Sequence, residues 1–233
     1  MRRCATEMGM QPINIHGYAF NSNYPFLDHL TAEEMAQHQH VFRTKGYLYG
    51  PFGGMIEGIP ELERYKVLLM IRDPRDILVS QYYSVAYSHP PPDRHGNKFE
   101  AFIKKRYQAK ALTIDEYVIT ESDYVYNNFV RYKTLLLDVY PETCIITYEN
   151  MVDNFAEWLG KILACCDLKI SSGLINTLVE EAKRLRPQTE NIHKHLRKGV
   201  AGDYMNQLKP ETIIFLNDKL SPILDAFGYK RLD

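Results

Sequence analysis

A chain of 233 residues, 45% apolar and 24% charged, can bury one large α/β core or at most two small ones. Its 28 Lys and Arg offset 29 Asp and Glu to a net charge of −1, which argues against broad binding to nucleic acid or anionic membranes but leaves room for a local basic pocket. The longest candidate apolar run, Val67 to Ile71, is a strand's length and far short of a bilayer span.

Met1-Arg2-Arg3-Cys4 is basic but leads into Ala5-Thr6-Glu7, so it does not read as a signal peptide; Met1 to Met8 reads as the middle of a helix. Gly50-Pro51-Phe52-Gly53-Gly54 is glycine-rich but carries neither the Lys nor the Ser/Thr of a phosphate-binding loop. Lys66-Val67-Leu68-Leu69-Met70-Ile71 has the pattern of a buried parallel strand. Asp73-Pro74 then reads as an N-cap with Pro at the first helical position, and Ile77, Leu78, Gln81, Tyr82 and Val85 follow at helical spacing. Pro90-Pro91-Pro92 is expected to be an exposed, extended loop. Pro141 closes a helix, and Cys144 to Tyr148 reads as a second buried strand. Phe155, Trp158, Leu159, Ile162 and Leu163 mark an amphipathic helix, and another is expected from Ser171-Ser172 to Arg186, stopped by Pro187. Residues Gln188 to Gln207 read as a polar loop. Pro210 opens a last helix with Ile213, Ile214, Leu216, Leu220 and Ile223 facing inward. Strands alternating with helices imply a single layered α/β domain over residues 1–233, with a mostly parallel sheet.

Cys4, Cys144, Cys165 and Cys166 show no paired spacing, so no disulfide framework is expected and a reducing compartment is the default. His38-Gln39-His40 and His193-Lys194-His195 lack further ligands at recognisable spacing, so no metal site is expected. His16 and His89 could line an acceptor pocket, with surface or loop placement the plainer expectation, and the 17 tyrosines are expected mostly in core and pocket walls.

Two segments carry chemistry. Arg72-Asp73-Pro74-Arg75-Asp76 sits where a strand ends and a helix begins, the place where unpaired helix N–H groups attract anions in open α/β sheets. Arg72 would add a bidentate donor and Ser80 a hydroxyl; the plainer reading is an Arg72–Asp76 ion pair at a helix start. Arg197-Lys198-Gly199, followed by Gly202, suits a loop that folds around a phosphate, or equally a solvated basic turn.

Taken in order, these pieces resemble the PAPS-dependent sulfotransferases, where PAPS is 3′-phosphoadenylyl sulfate. The likeness rests on Arg72 to Asp76 with Ser80-Gln81-Tyr82-Tyr83, on Tyr148-Glu149-Asn150-Met151, and on Arg197-Lys198-Gly199-Val200-Ala201-Gly202-Asp203-Tyr204-Met205-Asn206. It covers roughly Gly46 to the C-terminus. The resemblance implies a three-layer α/β/α fold like that of P-loop nucleotide transferases. It also implies transfer of a sulfuryl group from PAPS to a hydroxyl or amine by in-line displacement, releasing 3′-phosphoadenosine 5′-phosphate (PAP). Arg72 and Ser80 would bind the 3′-phosphate, Arg197, Lys198 and Gly199 would close over it, and Tyr148 would lie near the adenine. The implied setting is cytoplasmic. The acceptor would be a small molecule or carbohydrate, with no nucleic acid partner and no membrane span.

Two family parts are not found. The Pro-Lys/Arg-Ser-Gly-Thr-type loop for the 5′-phosphosulfate has no counterpart, so the sequence reads as N-terminally truncated and is expected to bind PAPS poorly. The family's basic His falls on Tyr47 or Tyr49, and a phenol with an ordinary pKa near 10 is a poor base at neutral pH. Glu57 has the right chemistry but little support from spacing. The alternatives are another P-loop-fold group transferase, which would need a glycine-rich loop and Mg²⁺ carboxylates, and a non-catalytic nucleotide-binding or interaction module on the same fold.

Overall fold

A computed structural model describes residues 1–93, 97–185, 187, 189–194 and 197–231. His195 and Leu196 of the basic loop, and Arg186 at the expected end of a helix, lie outside the described residues. The chain has an α/β fold divided into two compact units: Met1–Leu69, Thr134–Ile146 and Asn154–Leu185 form the first, and Met70–Lys133, Thr147–Asp153 and Arg186–Asp233 the second.

In the first unit the basic N-terminal stretch forms helix α1 (Arg2–Glu7), as its sequence suggests. Two strands follow that alternation did not reveal, β1 (Gln11–Ile13) and β2 (Tyr47–Tyr49), three residues each. They pair in parallel, Gln11 opposite Tyr47 and Ile13 opposite Tyr49. Between them, α2 (Ile15–Phe20) is capped by Asn14, whose side chain accepts the Gly17 N–H. The short helix α3 (Ala32–Met35) starts with a capping box in which Thr31 and Glu34 exchange hydrogen bonds. Ile15, Leu27, Met35, Phe42 and Ile56 make this unit's core.

Strands β3 (Leu68–Ile71) and β4 (Cys144–Thr147) form a second two-stranded sheet, and the chain passes from the first unit to the second within each of them. Helices α8 (Phe155–Cys165) and α9 (Ser172–Arg184) return to the first unit and pack together. Ser171 caps α9 by accepting the Leu174 N–H, while its own N–H donates to Glu7 of α1.

The expectation of four unpaired thiols is corrected here: Cys144 and Cys165 form a disulfide with their Cα atoms 6.1 Å apart. The start of β4 and the end of α8 meet in space, within the distance a bridge requires, although 21 residues separate them. Spacing alone carries no trace of that meeting. Cys4 and Cys166 are free, and burial pushes the Cys166 thiol up.

The second unit is helical. After β3 comes α4 (Pro74–Tyr83), continued by a π-helical turn over Ser84–Ser88. It packs on α6 (Ile114–Arg131), as do α11 (Pro210–Lys219) and α12 (Ser221–Phe227). Leu78, Val79, Val118, Phe129, Leu216, Leu220 and Leu224 are buried in this unit. Helix α5 (Asn97–Ala111) holds the π-helical turn through Arg106, which donates to the Val85 and His89 carbonyls. Pro92 is buried, so the triproline segment is not wholly exposed as expected.

The inward face of α11 also differs from expectation: Ile214 is 62% exposed, whereas Thr212 and Asn217 are buried. Asn217 faces in because Arg75, itself 1% exposed, needs an acceptor there and takes the Asn217 side-chain oxygen at 2.6 Å. The other Arg75 donors reach both Asp73 oxygens and the Lys230 carbonyl, and its guanidinium lies over the Tyr204 ring. A buried guanidinium is tolerable only with its donors satisfied in this way.

Candidate functional site

The strand-to-helix turn is built largely as its sequence implies. Asp73 is the N-cap of α4 and its side chain accepts the Arg75 N–H at 2.9 Å, with Pro74 at the first helical position. The Asp73 N–H, the donor just outside the helix, goes to Glu149 at 2.8 Å. Glu149 lies in α7 (Tyr148–Asp153), directly after β4, and its second oxygen accepts the Tyr229 hydroxyl at 3.3 Å. Burial, with Glu149 adding to it, pushes the Tyr229 phenol up. Glu149 therefore ties the turn to the C-terminal end of the chain.

Arg72 emerges at the end of β3 with its side chain 18% exposed. One terminal nitrogen is 3.3 Å from the Asp76 carboxylate and donates to the Val200 carbonyl at 3.3 Å. The guanidinium lies 4.2 Å from the centre of the Tyr148 ring. Its Nε is buried and has no partner among the described residues. The plain ion pair with Asp76 thus exists, yet it leaves Arg72 with a desolvated donor unused, which is costly unless something accepts from it.

Asp76 is fully buried and organises the glycine loop. Its two oxygens accept the Gly202 N–H at 2.7 Å and the Tyr204 N–H at 2.9 Å. Burial raises the Asp76 pKa even though Arg72 and the two N–H groups pull it down. Gly199 and Gly202 adopt φ of 65° and 72°, a left-handed backbone that lets the loop fold back on α4. Asp203 then starts the short α10 (Tyr204–Gln207).

Arg197 and Lys198 arrive on that loop. Arg197 donates to Glu190 and to Asp203, and its guanidinium stacks 4.2 Å from the centre of the Tyr83 ring. Lys198 bonds Asp203 at 2.7 Å and lies 4.0 Å from Glu190. Burial works to raise the Asp203 pKa, but Lys198 and Arg197 hold it below the usual carboxylate range. Burial likewise raises the Tyr83 phenol, whose hydroxyl donates to Gln207 at 2.6 Å.

In the second unit Arg72 and Tyr148 stack beside the start of α4, Arg72 reaches the glycine loop through the Val200 carbonyl, and Arg197 and Lys198 sit on that loop, Arg197 against Tyr83 at the other end of α4. Ser80 is exposed farther along the same helix and makes no side-chain hydrogen bond among the described residues. Asp76 was expected as an ion-pair partner of Arg72, Glu149, Asp203 and Tyr83 appeared in the motifs without a role, and Glu190 was not named. The only advance signals were the four-residue step from Arg72 to Asp76 and the acid closing the glycine loop.

Tyr47 and Tyr49 lie on β2 in the first unit. The Tyr49 hydroxyl accepts the Arg43 N–H at 2.8 Å, and burial pushes its phenol up. That leaves even less of Tyr49 ionised near neutrality than of an ordinary tyrosine, so it is less available as a base. Gly53 is explained without a phosphate: a Cβ there would lie 2.7 Å from His16 and 2.9 Å from Asp28. His16 pairs with buried Asp28 at 3.7 Å and packs on Phe26. His38 Nδ1 meets the Tyr24 hydroxyl at 2.9 Å. No group of three metal-ligating side chains occurs among the described residues, and no described helix is long and apolar enough to cross a membrane.

A family model described as the sulfotransferase domain matches residues 59–227, well over half of the chain. Among solved structures, the chain is similar to the mouse sulfotransferase SULT7A1 complexed with PAP. The identity is 15% and the TM-score 0.49, over 81% of this chain and 68% of that one. No curated protein matches the sequence.

Proposed function

The chain belongs to the sulfotransferase domain family, whose reaction is sulfuryl transfer, and we propose that its donor is PAPS, held through the 3′-phosphate by the Arg72, Arg197 and Lys198 cluster. The observation that carries this reading is the buried, unpartnered Nε of Arg72, whose guanidinium also reaches the Val200 carbonyl of a loop that carries two more cations. A phosphate supplies several acceptor oxygens and satisfies a guanidinium in a way a single carboxylate cannot.

In this reading Tyr148, already stacked on Arg72, extends the cationic face toward the adenine, and Gly199 lets the backbone approach the phosphate. Ser80 would contribute its unengaged hydroxyl. The acceptor oxygen or nitrogen attacks sulfur in line as the sulfur–oxygen bond to the nucleotide phosphate breaks, and PAP leaves. The cluster's part is to fix the donor's position and balance its charge. We assign the acceptor's proton to no residue, since Tyr49 is raised rather than lowered. The acceptor class is a small molecule or carbohydrate bearing a hydroxyl or amine.

The cytoplasmic setting and the Cys144–Cys165 bridge make opposite demands on the compartment, because disulfides persist where the surroundings are oxidising. A thiol count on protein taken from its own cell decides between them.

Calorimetric titration with PAP tests the donor assignment. Arg72→Ala should weaken binding by about 3 kcal/mol, roughly a hundredfold in Kd. An unchanged Kd in that variant would remove Arg72 from the site and with it this reading.

A further inference from the structure

The proposed donor site takes in three cations, and each is matched by a carboxylate: Arg72 by Asp76, and Arg197 and Lys198 by Asp203 and Glu190. A phosphate entering this neutral cluster gains little unless one carboxylate withdraws. Two of them cannot. Asp76 has 0% side-chain exposure and is fastened by the Gly202 and Tyr204 N–H groups. Asp203 has 1% side-chain exposure and grips both Arg197 and Lys198.

Glu190 differs in both respects. Its side chain is 35% exposed, and its partners among the described residues are Arg197 and the more distant Lys198. Nothing else in the described residues anchors the carboxylate, and water is within its reach. Arg197 itself is held from below by the Tyr83 ring and from the side by Asp203, so it keeps its position when Glu190 departs.

We propose that Glu190 is a displaceable counter-ion, seated on Arg197 in the free protein and driven off by the 3′-phosphate of the donor. The inference rests on the donor reading above and adds to it an internal competitor for the same cation. Glu190 keeps a half-buried guanidinium paired while the site is empty. It also raises the threshold for anions that lack the charge to replace it. A phosphate dianion brings more charge and more acceptors than the single carboxylate, so it prevails where a weaker anion does not.

The test compares Glu190→Gln with wild type by calorimetry, using PAP and, as a ligand without the 3′-phosphate, adenosine 5′-phosphate. Melting curves confirm that the variant folds, as its partly exposed position favours. The expected result is a Kd for PAP about five- to tenfold lower in Glu190→Gln, with adenosine 5′-phosphate unchanged. PAP affinity that is unchanged or weaker in Glu190→Gln, while Arg72→Ala still loses binding, overturns the counter-ion role and leaves the donor site standing. Equal tightening of both nucleotides also overturns it, since that reports only a general loss of negative charge. Absence of PAP binding in both wild type and Glu190→Gln overturns the donor reading and this inference together.

Discussion

Asp76 is where the helix start and the glycine loop are joined, and replacing it separates the contributions of charge and geometry. Its two oxygens accept N–H groups from Gly202 and Tyr204, 126 and 128 residues away. A buried donor left without an acceptor costs about 1–3 kcal/mol. Asp76→Ala removes both acceptors and should cost about 4 kcal/mol. Asp76→Asn keeps one oxygen and turns an NH₂ toward the second donor, so about 2 kcal/mol is expected. Losing the charge should add little, because burial already raises the Asp76 pKa despite Arg72. For a chain of this length each kcal/mol lowers Tm by about 2–4 °C, which gives about 4–8 °C for Asn and about 8–16 °C for Ala. Differential scanning calorimetry reads both. The variants should also bind PAP about tenfold more weakly, because Arg197 and Lys198 are then carried on a released loop. An Asp76→Ala protein that melts within about 2 °C of wild type would refute the reasoning.

Two further outcomes follow from the same physics. Asp203 is held below the ordinary aspartate value of 3.8, so its contribution to stability is complete above that value and is lost as pH falls through the lowered folded value. Asp76, raised by burial, acts in the opposite sense and favours the folded state as it protonates. Urea midpoints for wild type and Asp203→Asn should therefore differ by a constant amount near neutrality and converge in acid; a gap independent of pH would contradict the assignment. For the cysteines, peptide mapping without reductant should recover Cys144 joined to Cys165 and leave Cys4 and Cys166 free to alkylation. Cys144→Ser should cost about 3 kcal/mol, read from denaturant midpoints. Four alkylated thiols in the native protein would sink the bridge and favour a reducing compartment.

What the sequence determined by itself was local. Asp73 and Pro74 start α4 because an N-cap acceptor and a preset φ act within one turn, and Ser171 starts α9 for the first of these reasons. The apolar run before Arg72 and the one from Cys144 became strands because short apolar segments between charges or turns pair in a sheet, although Met70 is 45% exposed and neither strand is buried throughout as expected. The two basic segments were legible as candidates for one phosphate only through their family likeness, since alone the first reads as an ion pair at a helix start and the second as a solvated basic turn. The tertiary structure decided everything that depends on distant residues meeting. Strands β1 and β2 are three residues each, too short to show alternation, and exist because they pair with one another. Asn217 faces inward, and Ile214 outward, because Arg75 needs an acceptor across 142 residues of chain. The Cys144–Cys165 bridge and the Asp76 contacts to Gly202 and Tyr204 are of the same kind. Glu190 is the sharpest case: in the sequence it is one acid in a polar loop, and only folding sets it on Arg197.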